Sequence, residues 1–113
     1  MSLMSQSDRL KKAIENARFL VIDDDRFSRS LIKTTLMQLG GYKISEQPSG
    51  VQALETLRTE DISVVLLDHE MPGLTGLELA RLIRKGEEGV KNKNVPIIII
   101  TGNTEARTVK EAQ

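Results

Sequence analysis

Asp23, Asp24 and Asp25 follow directly on the apolar run Phe19, Leu20, Val21, Ile22, and Asp68 ends a second such run, Ser63, Val64, Val65, Leu66, Leu67. Met71, Pro72 and Gly76 come next. Packing alone does not explain carboxylates delivered at the C-terminal ends of two strand-like segments. If those segments lie side by side in a parallel sheet, the acids meet in the crevice where open α/β sheets bind ligands. Crowded carboxylates raise one another's pKa unless a cation joins them, and hard oxygens of this kind suit Mg2+.

The elements that must position these acids alternate strand and helix, the signature of βαβ units on a parallel sheet. Residues 19–22 form the first strand, short and apolar as a strand covered on both faces should be. Residues 26–39 are a helix with Phe27, Leu31, Ile32, Thr35 and Leu39 inward, stopped by Gly40 and Gly41. Residues 42–46 make a more polar strand, suited to an edge. Ser49 and Gln52 have capping-box spacing and open a helix through about residue 58, with Val51, Leu54 and Leu57 as its buried side. Residues 62–67 are the third strand. Thr75 and Glu78 form a second capping box, heading a helix that buries Leu79, Leu82 and Ile83. A charged, solvated loop over 86–94 leads to the fourth strand, 97–100, closed by Thr101 and Gly102, and another helix begins near Thr104. Ahead of the first strand, residues 9–17 are weakly amphipathic, with Leu10, Ala13, Ile14 and Ala17 on one face. This stretch reads as a leader helix or linker.

Composition narrows the class. A chain of 113 residues is one domain by size, and 39% hydrophobic with 28% charged residues is ordinary for a globular chain. Sixteen basic and sixteen acidic residues cancel, and Phe19, Phe27 and Tyr42 are the only aromatics, so nothing argues for nucleic acid or an anionic membrane. The absence of Cys excludes disulfides, thiolate metal sites and a Cys nucleophile. No apolar stretch approaches the roughly 20 residues that span a bilayer, and the N-terminus lacks a signal peptide's apolar core. The expected location is the cytoplasm. Met4 is a candidate natural start, with Met1, Ser2 and Leu3 left by an expression vector. Residues 1–17 are then tag remnant and leader, and residues 18–113 the folded domain.

With right-handed crossovers, Asp23, Asp24, Asp68 and Thr101 converge. The acidic pair after Phe19-Leu20-Val21-Ile22, the Asp68, Met71, Pro72, Gly76 spacing, and Thr101 followed by Gly102 together resemble the receiver domain of two-component response regulators, chemotaxis regulators included. The match runs from about Arg18 to the C-terminus. The resemblance implies a flavodoxin-like three-layer α/β sandwich with parallel strand order 2-1-3-4. It implies that Asp68 accepts a phosphoryl group from a phosphohistidine on a sensor histidine kinase or a histidine phosphotransfer protein. Mg2+ would be held by Asp24 and Asp68 directly, by Asp23 mainly through water, and by the Glu70 backbone carbonyl. Thr101 would donate its hydroxyl to the phosphoryl group and so switch a partner-binding surface. The chain would be a signalling receiver that promotes its own phosphorylation and dephosphorylation, not an enzyme with a separate substrate.

Two departures stand out. Glu70 puts an extra carboxylate two residues past the acceptor, where it would either order or repel an attacking water. The family also continues into a fifth strand ending in Lys-Pro and a fifth helix, and these, with the family's phosphoryl-pairing lysine, have no counterpart here. A missing fifth strand would bare the edge of residues 97–100, an uncharged β-branched run, and invite self-association through strand four. Two other classes compete. A phosphoester-hydrolysing aspartyl enzyme would carry an Asp-x-Asp-x-Thr run after the first strand, which is absent. A phosphorylation-independent interaction module remains compatible with the missing lysine. His69 reads as a solvated loop residue, Met71 as packing under the loop, and Asp25 as a helix cap.

Overall fold

A computed structural model describes residues 5–100 and 109–112. The order of elements is α1 (Gln6–Asn16), β1 (Arg18–Ile22), α2 (Arg26–Gln38), β2 (Lys43–Gln47), α3 (Gly50–Thr59), β3 (Val64–Asp68), α4 (Gly76–Lys85), a 3-10 turn (Glu87–Gly89), β4 (Ile97–Ile100) and β5 (Val109–Ala112). The sheet runs β2-β1-β3-β4-β5, and its first four strands are parallel, in the expected order 2-1-3-4.

Strand periodicity divides the core. Leu20, Ile22, Val65, Leu67 and Ile97 point to one face, where Leu54 and Leu57 of α3 and Leu79 and Ile83 of α4 cover them. Phe19 and Val21 point to the other face, against Leu36 of α2, with Ile14 and Ala17 at the end of the leader packed alongside. Helices on both faces make the three-layer sandwich. Each is started by its own side chain: Asp25 accepts from Ser28 N–H, Ser49 from Gln52 N–H, and Thr75 and Glu78 close a reciprocal capping box. Gly86, at φ 71, ends α4 in the left-handed conformation.

Two helix faces differ from the sequence expectation. In α2 the buried position is Leu36, with Ile32 partly buried, whereas Phe27, Leu31 and Leu39 are 75%, 50% and 56% exposed. The stripe 27, 31, 35 lies one helical step from the face that meets the sheet. Leu31 and Thr35 of that stripe border an apolar cleft that Leu66 and Ile100 also line. In α3 the buried set starts at Gly50 and continues through Ala53, Leu54 and Leu57, which turns Val51 outward. Apolar residues adjacent in sequence cannot all face a flat sheet, and backbone contact chooses among them.

The far edge of the sheet also differs. Thr101 and the expected helix start near Thr104 lie outside the described residues. Val109–Ala112, where that helix would run, is instead a strand, antiparallel to β4 with Ile100 opposite Val109 and Ile97 opposite Ala112. The family's parallel fifth strand is not among the described residues, yet the β4 edge is not bare. An apolar strand with unpaired N–H and C=O groups recruits the nearest compatible backbone. The expected self-association through strand four therefore loses its structural premise in this chain.

Candidate functional site

The order 2-1-3-4 reverses direction between β1 and β3, and there the C-terminal strand ends open a crevice. Asp23 and Asp24 follow β1 and Asp68 ends β3. One carboxylate oxygen from each lies within 4.8 Å of the others, the only such group of potential metal-ligating side chains among the described residues. Asp23 is 5% exposed, Asp68 half-buried and Asp24 exposed, so the cluster runs from the sheet floor to the rim.

The carboxylates are held by backbone donors. Asp23 Oδ1 accepts from Asp25 N–H at 2.9 Å, and Asp68 Oδ1 from Glu70 N–H at 3.2 Å. Asp25 turns away to cap α2, taking both N–H and hydroxyl of Ser28 at 3.1 and 2.7 Å, and these bonds hold its pKa below the usual range. Glu70 is exposed and His69 half-buried, while Met71 is buried beneath the loop. Past the loop, Gly76 N–H donates to the His69 carbonyl at 3.0 Å, pinning α4 to the end of β3.

Burial pushes the Asp23 carboxyl up to about 6, and the Asp68 and Asp24 charges add to the rise against the Asp25 N–H bond. The Asp68 carboxyl is raised too, by burial first and then by the Asp24 charge, while the Glu70 N–H opposes the shift. The cluster is thus strained when fully ionised, and either a proton or a cation relieves it.

A stability consequence follows. Without metal, the folded chain keeps a proton on Asp23 between pH 3.8, the ordinary value, and about 6, where the unfolded chain has released it. The contribution is present in full below the unfolded pKa and is lost as pH rises through the folded one. Unfolding by urea in EDTA should show wild type losing on the order of 2–3 kcal/mol relative to Asp23→Asn between pH 4 and pH 7. Parallel pH profiles for the two proteins would contradict this.

Sequence reasoning missed Arg29. Its Nη1 donates to the Asp23 carbonyl at 2.8 Å, and its Nε lies 3.8 Å from Glu46 of β2. The signal was available: the first turn of α2 holds no acid and carries Arg26 and Arg29, against the helix dipole, so the arginine needs another reason to be there.

The arrangement of strands and acids is that of a known family. A family model described as the response regulator receiver domain matches residues 19–113. The chain belongs to the response regulator receiver domain family. It is 33% identical over 98 residues to the chemotaxis protein CheY-3 of Vibrio cholerae, covering 87% of this chain and 73% of that protein. It is 36% identical over 104 residues to the CAI-1 autoinducer sensor kinase/phosphatase CqsS of the same species, covering 92% of this chain but only 15% of the relative. Among solved structures, the receiver domain of the Arabidopsis thaliana histidine kinase CKI1, complexed with Mg2+ and beryllium fluoride, has TM-score 0.70 at 27% identity, covering 84% of this chain and 72% of that one. The response regulator TrrA of Thermotoga maritima, also in complex with Mg2+ and beryllium fluoride, has TM-score 0.68 at 37% identity, covering 79% and 72%. Receiver domains of this family take their signal from histidine kinases or phosphotransfer proteins. Among the described residues, no helix is long and apolar enough to cross a membrane.

Proposed function

We propose that Asp68 of this receiver domain is the phosphoacceptor and that Asp23, Asp24 and Asp68, with the Glu70 backbone carbonyl, hold Mg2+. The convergence of three carboxylates at the switch point carries this reading, with Asp68 at the rim where a donor can reach it. One carboxylate oxygen from each lies within 4.8 Å of the others, so a single small cation could be held by Asp24 and Asp68 directly and by Asp23 mainly through water. The set is all hard oxygen, and a cation there would offset the burial and the neighbouring carboxylate charges that raise the pKa values of Asp23 and Asp68.

The step is a phosphoryl transfer. A carboxylate oxygen of Asp68 attacks the phosphorus of a phosphohistidine in line. The P–N bond breaks, and the imidazole departs and takes up a proton. Bound Mg2+ supplies positive charge that lets an anionic carboxylate approach an anionic phosphoryl group. The Glu70 N–H fixes the Asp68 carboxyl rotamer, and the buried Asp23 keeps a second carboxylate aimed at the site. Thr101 would then hydrogen-bond a phosphoryl oxygen and pull its loop inward, switching a partner surface. Little else is required, since such transfers rest on positioning and electrostatics. Residues 18–113 are the receiver, preceded by a leader or linker, and the chain acts in the cytoplasm between a sensor kinase or phosphotransfer protein and an output partner.

Intact mass after incubation with Mg2+ and acetyl phosphate tests the reading. One added phosphoryl group, located on Asp68 by fragmentation and absent in EDTA, is the expected result. No gain in either this chain or the full gene product, with Mg2+ binding demonstrated, would overturn it in favour of a phosphorylation-independent module.

A further inference from the structure

We infer that Arg29 is a positioning residue for the acid site, standing in for a backbone donor that β2 cannot supply. The β1–β2 ladder runs in register from Arg18 opposite Lys43 to Ile22 opposite Gln47, and Asp23 N–H still donates to the Gln47 carbonyl at 3.2 Å. One position further, a parallel ladder would send an N–H from the strand beside β1 back to the Asp23 carbonyl. Continued past Gln47, the ladder would take that N–H from Ser49, and Ser49 is instead the N-cap of α3, where its hydroxyl accepts from Gln52 N–H. The Asp23 carbonyl is bonded instead by Arg29 Nη1, at 2.8 Å.

The guanidinium is itself constrained. Its side chain is 16% exposed, and Glu46 approaches Nε at 3.8 Å while Lys33 holds the same carboxylate at 3.3 Å. Among the described residues the buried Nε has no hydrogen-bond partner, and the one hydrogen bond the guanidinium makes there is to the Asp23 carbonyl. Asp23 and Asp24 lie between the end of β1 at Ile22 and the N-cap Asp25 of α2, with Asp24 at a bend. A fixed Asp23 carbonyl fixes the peptide plane between them, and with it the direction in which both carboxylates leave the chain. Outer partners of this kind orient metal-binding groups, and their loss typically weakens metal affinity about 10–100-fold.

This inference rests on the Mg2+ site proposed above, and the test separates the two. Calorimetric Mg2+ titration of the whole chain at pH 7.5, with no phosphodonor, compares wild type with Arg29→Ala, Arg29→Lys and Lys33→Ala. Arg29→Ala should weaken Mg2+ binding at least about tenfold. Arg29→Lys, which keeps a charged donor, should recover most of the affinity, and Lys33→Ala should match wild type. The gain in melting temperature on replacing EDTA by Mg2+ should shrink in Arg29→Ala. A merely structural role would lower the melting temperature equally in both and leave the affinity alone, which overturns the inference while the Mg2+ site stands. Failure of wild type to bind Mg2+ overturns both. If Arg29→Ala does not fold, Arg29→Lys and Arg29→Gln carry the comparison: affinity that falls from arginine to lysine to glutamine supports the inference, and equal affinities overturn it.

Discussion

Asp68→Asn is expected to abolish phosphoryl uptake and, at the same time, to raise the melting temperature of the metal-free protein at pH 7. The first effect removes the nucleophile, since an amide oxygen does not form the acyl phosphate. The second follows from the site's electrostatics. Asp68 and Asp23 are both raised by burial and by neighbouring carboxylates, so at neutral pH the fold holds charges it would shed if it could. Asparagine keeps the acceptor for the Glu70 N–H, 3.2 Å from Asp68 Oδ1, and takes away one of those charges. Mg2+ should reverse the order of stability. Wild type gains from the ion in proportion to its saturation, whereas the variant, one anionic ligand short, binds at least about 10–100-fold more weakly and gains little. Thermal melts of both proteins in EDTA and in Mg2+, beside intact mass after acetyl phosphate, read all three effects. A variant that melts below wild type in EDTA would show that Asp68 serves the fold as well as the site.

Gly76→Ala is expected to destabilise the domain by about 1–3 kcal/mol and to slow phosphorylation, although helix propensity alone argues the reverse. A Cβ at Gly76 would stand 2.6 Å from the Asp68 carbonyl oxygen and 2.8 Å from His69 Cα. Both are backbone atoms at the end of β3, with no flexible side chain to give way. Either α4 lifts from the sheet, loosening buried Leu79 and Ile83, or the end of β3 moves and carries the Asp68 carboxylate with it. For a domain of this size 1 kcal/mol corresponds to roughly 4–8 °C in melting temperature. Gly73→Ala is the control. Gly73 has φ 79 but no described residue within 4 Å of its would-be Cβ, so alanine there costs only about 1–2 kcal/mol of backbone strain and leaves β3 in place. The two variants should differ in phosphorylation rate even where their stabilities overlap. Equal rates would separate the glycine contact from the chemistry.

Gly76 also marks what could be read from residues alone. The spacing of Asp68, Met71, Pro72 and Gly76 was visible in the sequence, and so was the resemblance it carries. Why position 76 must be glycine was not, because the atoms it would strike belong to residues eight and seven positions earlier. The same division runs through the helices. Their starts were legible at Asp25, Ser49 and Thr75, since a cap is a bond between neighbours in sequence. Their buried faces were only partly so: Leu54, Leu57, Leu79 and Ile83 point inward as expected, but Phe27, Leu31 and Val51 do not.

By itself, then, the sequence determined the alternation of strand and helix, the helix starts and the acids that end β1 and β3, because alternation, capping and strand-end position are local patterns. The strand order came through the resemblance those acids carry. Tertiary structure decided the rest. Ser49 caps α3 instead of continuing β2, which leaves the Asp23 carbonyl for Arg29 to bind, a relation that exists only once β1 and β2 are in register. The antiparallel β5 closes an edge that looked open, because an unpaired strand takes whatever backbone lies within reach. The rise of Asp23 to about 6 depends on burial and on a like charge from a distant strand. Neither is a property of any residue on its own, and both arise when the chain brings separate segments out of water together.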